Sequence, residues 1–546
     1  MKVIHMRGVC CRLRSDVSRV IGRFSARWAG SLVLALPLTL PACNWFPAVD
    51  LSPRYTPPQY VVPASWHGAS PFVEADPSDA ELRPDWWKLY NDPVLDQLEE
   101  EAMAANPDLQ AAAERFVQAR DMMMKARSQY LPQVGLGFDA SNNRQSIEKL
   151  FRPPNIPQQE STVAVGSIAS WEPDFWSALR NATRVEVYRA EENAAEYGLA
   201  RLSLQAELAH AYFTLRGYDA QAAIYTKSIA YYKHSLALVN AQFKGKIASA
   251  LDVARVESLL FSTETKLAQI QGQRQVTEQA IAILLNRAPA NFTIEPVDDL
   301  RVANFTIPRT IPSTLLERRP DIAGMERRMA QANRTIGIAR AAFFPNVSFR
   351  LSGGFEDAAF NLFTLANSFW SYGATVSVPL FEGGYRRAQL QQAWSAYRET
   401  EDRYRSTVLN AFREVENNLS LTNQLTTASD RQDAAVGATF KTQNLTMELY
   451  QGGLASSLEL IYAQLNTLMA RIDSVAIKAE LLKASVALIR ALGGGWNRKQ
   501  LPTDERIQPF DTFQYANLDK PPPTGGIDVN AGNNWVHNNL TKPSVP

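Results

Sequence analysis

The sequence predicts a mainly α-helical chain with a smaller β part, built from two similar halves. Blocks of sequence recur at a nearly constant spacing, and long Pro-free stretches carry apolar residues at helical spacing. Four short segments alternate instead between apolar and small or polar residues, which is typical of strands. The predicted fold is therefore an internally duplicated set of long helices with four strands per chain.

The internal repeat is visible in two pairs of sequence blocks. Residues 131–134 (LPQV) match residues 344–347 (FPNV), 213 positions later. Residues 243–252 (FKGKIASALD) match residues 450–459 (YQGGLASSLE), 207 positions later. Ordered matches with a nearly constant offset indicate a duplication. The first repeat is predicted to cover residues 85–290 and the second residues 313–496.

Each half is predicted to contain very long helices. Asp92-Pro93 and Asn106-Pro107 each combine an N-cap side chain with proline at the first helical position. Further along, apolar residues step by three and four, as on the seam of a coiled coil. Globular helices average only about 11–12 residues, far fewer than these stretches. The long helices are predicted at about 177–240, 246–287, 382–449 and 456–492.

The four alternating segments have the pattern of outer-membrane barrel strands, with aromatic residues near their ends. A soluble sheet would give a similar pattern. Four strands cannot close a barrel, which needs about eight, and an open edge in lipid leaves backbone groups unpaired. Transmembrane strands would therefore require several chains, with eight strands from a dimer or twelve from a trimer. The strands are predicted at about 133–143, 161–173, 346–355 and 369–379.

The N-terminal region is predicted to be a targeting segment. Residues 1–27 carry six arginines and one acidic residue, and an apolar run too short to span a bilayer follows. The run leads to Leu40-Pro-Ala-Cys43, which is similar to a bacterial lipobox. We therefore expect residues 1–42 to be a signal peptide and Cys43 to carry lipid; an ordinary signal peptide is the alternative. Residues 43–84 are predicted to be an extended tether and residues 497–546 an extended or disordered tail.

Composition argues against several classes of function. The 56 Lys and Arg residues nearly balance the 55 Asp and Glu residues, which argues against general attraction to nucleic acid. All three cysteines lie within the first 43 residues, and the five histidines are scattered without metal-ligand spacing. The sequence has no GxSxG motif and no phosphate-binding loop. We expect no enzyme activity, no metal site and no cofactor other than lipid on Cys43.

Several motifs together resemble the TolC-type outer-membrane efflux proteins, in particular the lipoprotein branch that serves resistance-nodulation-division pumps. The most specific are the Arg-Arg-Pro-Asp-Ile motif at 318–322, the Ile-Gly-Ile-Ala motif at 336–339, and Phe344-Pro345. The closing motif at 491–496, Ala-Leu-Gly-Gly-Gly-Trp, is also specific. The resemblance covers about residues 80–496.

This resemblance implies a homotrimer in the outer membrane. Its twelve-strand β-barrel would continue into a long periplasmic barrel of α-helices. The trimer would be the passive exit duct of a tripartite efflux or type I secretion-like system. Its partners would be a periplasmic adaptor protein, an inner-membrane efflux pump and outer-membrane lipid. Because the strands could belong to a soluble protein, the alternative function is a periplasmic coiled-coil scaffold lipoprotein without a pore.

The two helix–turn–helix tips match the pattern at which adaptor hairpins dock in this family. Glycine is expected there because it permits a tight left-handed turn, and a following serine can cap the next helix. The competing interpretation is that these residues only form the turns and have no role in adaptor docking. The expected docking residues are Gly245, Ile247, Ser249, Gly452, Gly453, Leu454 and Ser456.

A periplasmic gate is predicted one turn inside the tips. Asp252 and Glu459 occupy equivalent positions, so a trimer would hold six carboxylates near the mouth. Such a ring would favour cations and could hold the gate through hydrogen bonds or ion pairs. The family often has a second acidic position one turn further, where this chain has Arg255 and Tyr462. Arg255 could pair with either carboxylate, and the competing interpretation is that the acids only stabilise helix starts.

Overall fold

The structure is a computed structural model that describes residues 48–56, 84–146, 159–300, 302, 315–358 and 361–503. The chain divides into Met1–Pro47 and Ala48–Pro546, and every element described below belongs to the second unit. The predicted signal peptide, the predicted lipidation site Cys43 and most of the predicted tether and tail lie outside the described residues.

The two halves contain the same elements in the same order. The first half has α1 (Pro93–Ala105), α2 (Pro107–Ser128), β1 (Gln133–Arg144), β2 (Gln159–Trp171), α3 (Ala178–Lys244) and α4 (Ala250–Leu284). The second half has α5 (Leu315–Arg318), α6 (Pro320–Ala341), β3 (Asn346–Asp357), β4 (Ser368–Ser377), α7 (Tyr385–Gln451) and α8 (Ser457–Ala491). This arrangement confirms the mainly helical fold class with an antiparallel β part.

Corresponding helices have identical lengths. Helices α3 and α7 each have 67 residues, α4 and α8 each have 35, and α2 and α6 each have 22. The offset between the starts of α3 and α7, and of α4 and α8, is 207 residues, and that between α2 and α6 is 213. Because no residue is inserted within these helices, each position in one half has a defined counterpart in the other.

The first helices begin at side-chain caps. Asp92 accepts hydrogen bonds from the backbone N–H groups of Val94 and Leu95, at 3.0 and 3.3 Å. Asn106 accepts one from Leu109 at 3.0 Å, and its amide also donates to the carbonyl of Leu284 at 3.0 Å. Each cap precedes a proline whose missing N–H costs nothing at the first helical position. Asn106 therefore starts α2 and ties it to the end of α4.

The four strands form one antiparallel sheet in the order β1-β2-β3-β4. The halves join where β2 pairs with β3, from Val163 opposite Asp357 to Trp171 opposite Phe349. The outer edges of β1 and β4 have no partner strand among the described residues. Every residue of β4 is exposed in the isolated chain.

The helical core surrounds α3, which packs against α2, α4, α6 and α8. Leu208, Tyr212 and Ile281 are fully buried there. A smaller apolar cluster nearer the helix–turn–helix ends contains Tyr232 and Leu468. Both halves therefore contribute to one continuous set of packed helices.

Among the described residues, no helix combines the length and the apolar character that a membrane-spanning helix requires.

Candidate functional site

The candidate site is formed by two helix–turn–helix tips, the first between α3 and α4 and the second between α7 and α8. In the first tip, the N–H of Gly245 donates to the carbonyl of Ala241 at 3.0 Å. In the second, the N–H of Gly452 donates to the carbonyl of Glu448, also at 3.0 Å. The backbone thus ends both long helices with the same hydrogen bond.

The left-handed residue differs between the tips and corrects the expectation for Gly245. Gly245 and Gly452 both have φ of −77°, which any residue can adopt. The left-handed position is the next one, occupied by Lys246 at φ 59° and by Gly453 at φ 74°. The first turn therefore places a non-glycine residue in a conformation that favours glycine.

A capping box starts the second helix of each tip. The Ser249 hydroxyl accepts a hydrogen bond from the N–H of Asp252 at 3.3 Å, and the Asp252 carboxylate accepts one from the N–H of Ser249 at 3.0 Å. Ser456 and Glu459 make the same pair of bonds, at 3.3 and 2.9 Å. Two otherwise unpaired N–H groups are satisfied in each turn. Both predicted gate carboxylates thus have a structural role as well.

One hydrogen bond joins the two tips through Asp252. The hydroxyl of Ser457, the first residue of α8, donates to the second carboxylate oxygen of Asp252. This hydrogen bond, followed by those from Ser249, lowers the pKa of Asp252 below its ordinary value. A second link joins the ends of α3 and α7, where the hydroxyl of Tyr450 donates to the Gln242 side chain at 2.8 Å.

The four predicted gate residues have different surroundings. Arg255 lies on the same helix as Asp252, with its guanidinium 3.9 Å from that carboxylate. Glu459 is exposed and bonds to Ser456 of its own tip. Tyr462 is also exposed. Of the two carboxylates, Asp252 is therefore the one that links the hairpins within the chain.

Each tip also presents an aliphatic side chain to solvent. Ile247 is 81% exposed and Leu454 is 80% exposed, and the two residues are counterparts in the repeat. Neither contributes to a buried core, so the tips combine an exposed apolar contact with hydrogen-bonding groups around it.

Sequence reasoning missed Ser457, Tyr450 and Gln242. Their counterparts in the repeat differ: Ser457 corresponds to Ala250 and Tyr450 to Phe243, neither of which has a side-chain hydroxyl. The sequence did contain a signal for these residues, because a hydroxyl group is present at each of these two positions in the second tip and absent from the matching position in the first. Within the part of the chain that the structure describes, no group of three or more His, Cys, Asp or Glu side chains is arranged to hold a metal ion.

Comparison with known proteins assigns the chain to a family. The family model described as outer membrane efflux protein matches residues 98–287 and 311–494. The pyoverdine export outer membrane protein OpmQ of Pseudomonas putida is 30% identical over 480 residues, which are 85% of this chain and 97% of that protein. The outer membrane protein OprJ of Pseudomonas aeruginosa is 30% identical over 478 residues, 86% of this chain and 96% of that protein.

A solved structure shares the fold. The Campylobacter jejuni CmeC outer membrane channel superposes with a TM-score of 0.77 at 22% identity, covering 82% of this chain and 96% of that one. The family match covers both halves of the repeat and confirms the resemblance seen in the sequence motifs. The chain belongs to the outer membrane efflux protein family.

Proposed function

We propose that three copies of this chain form a passive exit duct through the outer membrane, as the outer-membrane component of a tripartite efflux system. The duct works with a periplasmic adaptor protein and an inner-membrane efflux pump. It performs no chemistry on its cargo and provides a continuous passage for it.

The open sheet is the observation that carries this proposal. Within the described part of the chain, β1 and β4 each have one edge without a partner strand, and the backbone hydrogen-bonding groups along it cannot remain unsatisfied in lipid. Large apolar side chains such as Leu136 and Tyr372 are exposed on these outer strands. Pairing β4 of one copy with β1 of the next satisfies the edges, and three copies give twelve strands. A wide lumen then connects the two sides of the membrane.

The two tips are the proposed docking site for the adaptor. Ile247 and Leu454 offer exposed apolar contacts, and each is held by a turn whose geometry is fixed by a capping box. Repetition over three copies gives six such contacts around one mouth. Gly245, Ser249, Gly452, Gly453 and Ser456 shape these turns, so their role in docking is mainly to position the aliphatic side chains.

The proposed gate lies directly inside the tips. Asp252 and Ser457 join the two hairpins of one chain, and Arg255 places a positive charge beside the same carboxylate. Glu459 and Tyr462 remain exposed, so they are available to neighbouring copies or to solvent. Opening the mouth requires the hairpins to separate, which breaks the hydrogen bond between Ser457 and Asp252.

Lipid on Cys43 is the proposed anchor. Cys43 precedes Ala48, where the described chain begins, by five positions in the sequence. The backbone N–H of Val49 donates to the carbonyl of Phe175 at 2.9 Å, just after β2 ends. From Val49 onward, the chain is therefore held beside the segment that follows β2.

The native mass of the mature protein, extracted from outer membranes in detergent, tests the proposal. A mass of three chains, with retention in the membrane when Cys43→Ala removes the lipid, is the expected result. A monomer that becomes soluble on Cys43→Ala would overturn the duct and support the scaffold without a pore. The Cys43→Ala variant needs a conventional signal peptide so that it is still exported.

A further inference from the structure

The internal duplication indicates how neighbouring copies pack. Within one chain, α3 of the first half packs closely against α6 of the second half. The counterpart of α3 is α7, and the counterpart of α6 is α2. Among the described residues, α2 and α7 of the same chain are not packed against each other. The chain therefore contains the α3–α6 contact but not the equivalent contact between α7 and α2.

Burial points to the same missing contact. Of the 67 residues in each helix, 28 are buried in α3 but only eight in α7. Equal length and equivalent position would give similar burial if both helices had the same neighbours. The surface of α7 that corresponds to the α6-binding surface of α3 lacks its partner in the isolated chain.

Polar contacts define the α3–α6 packing. Arg327 of α6 donates to Glu191 of α3 at 2.8 Å, and Arg328 donates to Glu192 at 2.6 Å. The Gln331 amide also donates to Glu192. The two helix backbones approach closely enough that a β-carbon on Gly324 would lie 3.4 Å from that of Ala195.

The constant offsets transfer these contacts to α2 and α7. Adding 207 converts an α3 residue to its α7 counterpart, and subtracting 213 converts an α6 residue to its α2 counterpart. The pair Arg327–Glu191 then becomes Glu114–Arg398. The signs of both charges are exchanged, so the pair is still attractive.

The second ion pair also remains an arginine–glutamate pair after the transfer. The pair Arg328–Glu192 becomes Arg115–Glu399, and Gln331 becomes Gln118, which again faces the glutamate. Glu114, Arg115, Gln118, Arg398 and Glu399 are all exposed in the isolated chain. Both transferred ion pairs are complementary, although the residues themselves are not all the same.

We infer that α2 of one copy packs against α7 of the neighbouring copy as α6 packs against α3, with Glu114 facing Arg398 and Arg115 facing Glu399. The partner surface is thus a second copy of this chain. This inference rests on the proposed function, because it names the surfaces that hold the proposed trimer together.

The same operation gives the strand register between copies. Gln133 pairs with Ser170 in the first half and Asn346 with Ser377 in the second, so the offset is 213 residues from β1 to β3 and 207 from β2 to β4. Within the chain, Ser170 lies opposite Arg350. The equivalent between copies places Ser377 of β4 opposite Gly137 in β1 of the neighbour. The helix and strand contacts therefore follow from one rotation that relates successive halves.

An engineered disulfide tests the helix contact. Ala111 and Asp402 are the counterparts of Gly324 and Ala195, and both are exposed in the isolated chain. A β-carbon separation near that of the α3–α6 pair is close to the range of disulfides, about 3.5–4.5 Å. The full-length variant Ala111→Cys/Asp402→Cys should form a covalent trimer in the outer membrane, which returns to monomer under reduction.

The matched control moves one cysteine around the helix. In Gln110→Cys/Asp402→Cys, the α2 position is turned by about 100° from Ala111, and at least fivefold less covalent trimer is expected. Each single-cysteine variant should give none. A native trimer in which Ala111→Cys/Asp402→Cys does not cross-link would overturn this inference while leaving the duct intact. A wild-type monomer would overturn both.

Charge exchange provides a second readout that needs no cysteine. Glu114→Lys and Arg398→Glu each place like charges opposite one another three times per trimer, so each should increase dissociation in detergent. The double variant restores opposite charges and should recover at least half of the lost trimer. If the two single losses instead add in the double variant, the two residues do not face each other.

Discussion

Ser457 donates a hydrogen bond to Asp252, so the first residue of α8 is joined to the first turn of α4. The other oxygen of the same carboxylate accepts the N–H of Ser249. One side chain therefore caps its own helix and holds the neighbouring hairpin. Separation of the tips must break the first interaction but leaves the second in place.

Removing the hydroxyl with Ser457→Ala should loosen the tips and increase mean conductance in planar bilayers. Ser457→Thr, which keeps the hydroxyl, serves as the control and should behave like the wild type. The pKa of Asp252 should rise toward its ordinary value in the alanine variant, because the largest cause of its lowering is lost. Equal conductance of the alanine and threonine variants would show that the bond does not restrain the mouth.

The left-handed turn positions give a matched pair of alanine substitutions. Gly453 has φ of 74°, so Gly453→Ala should destabilise the second tip by about 1 kcal/mol. Gly245 has φ of −77°, and an added β-carbon would meet its nearest neighbour at 3.5 Å, an ordinary contact. Gly245→Ala should therefore be tolerated. Hydrogen exchange at the two tips measures both effects, and greater exchange in Gly245→Ala than in Gly453→Ala would contradict the assignment.

Arg319 holds the start of α6 to the other helices of the second half. Its guanidinium donates to Asp321, to Glu414 of α7 and to the carbonyl of Ala491 at the end of α8, at 2.6, 2.8 and 3.0 Å. Arg319→Ala should lower stability by roughly 2–3 kcal/mol, because the buried carbonyl loses its donor and two carboxylates lose their cation. Thermal unfolding of the detergent-extracted protein checks this. Arg319→Lys, which keeps a positive charge at this position, is the comparison variant and should lose less stability. A loss equal to that of Arg319→Ala would contradict a contribution from the ion pairs of Arg319.

Glu99 makes stability depend on pH. It is fully buried in α1, and neither carboxyl oxygen has a hydrogen-bond partner among the described residues. Burial, followed by repulsion from Asp96, raises its pKa well above the ordinary value. The folded protein therefore holds the Glu99 proton to a higher pH than the unfolded chain, in which a glutamate ionises above about pH 4.3.

A carboxyl group whose pKa is raised by folding contributes fully to the free energy of unfolding at low pH. This contribution is lost as the pH rises toward the pKa of the group in the folded protein. Wild-type melting temperature should fall relative to Glu99→Gln as pH is raised from 4 to 7. The glutamine variant has the same shape but cannot ionise, so it removes this pH dependence. A constant difference between the two proteins over that range would show that Glu99 is charged in the folded state.

The sequence predicted the fold class because its determinants are local. Asp92 and Asn106 indicate helix starts because capping acts over a few residues. The alternation of apolar with small or polar residues that predicts each strand needs only about ten residues. Two repeats with constant offsets also make the long helices easier to recognise, since each half supports the other.

The candidate site was less accessible to sequence reasoning because it depends on tertiary register. Ser457 follows the capping residue Ser456, and only the packing of two hairpins brings it to Asp252. The left-handed residue of the first tip was also misplaced. Glycine at 245 suggested the position, whereas Lys246 adopts it because the backbone hydrogen bonds at the helix end fix the turn.

Single-channel recording of the purified native protein in planar bilayers tests the central claim most directly. The account predicts small conductance steps for the wild type and larger ones for Asp252→Ala/Ser457→Ala, in which the hydrogen bond between Ser457 and Asp252 is absent. The open-state conductance of the double variant should be the same at positive and at negative applied voltage, as expected of a passive water-filled duct. Absence of conductance in both proteins, despite a native trimeric mass, would contradict a duct closed at its tips.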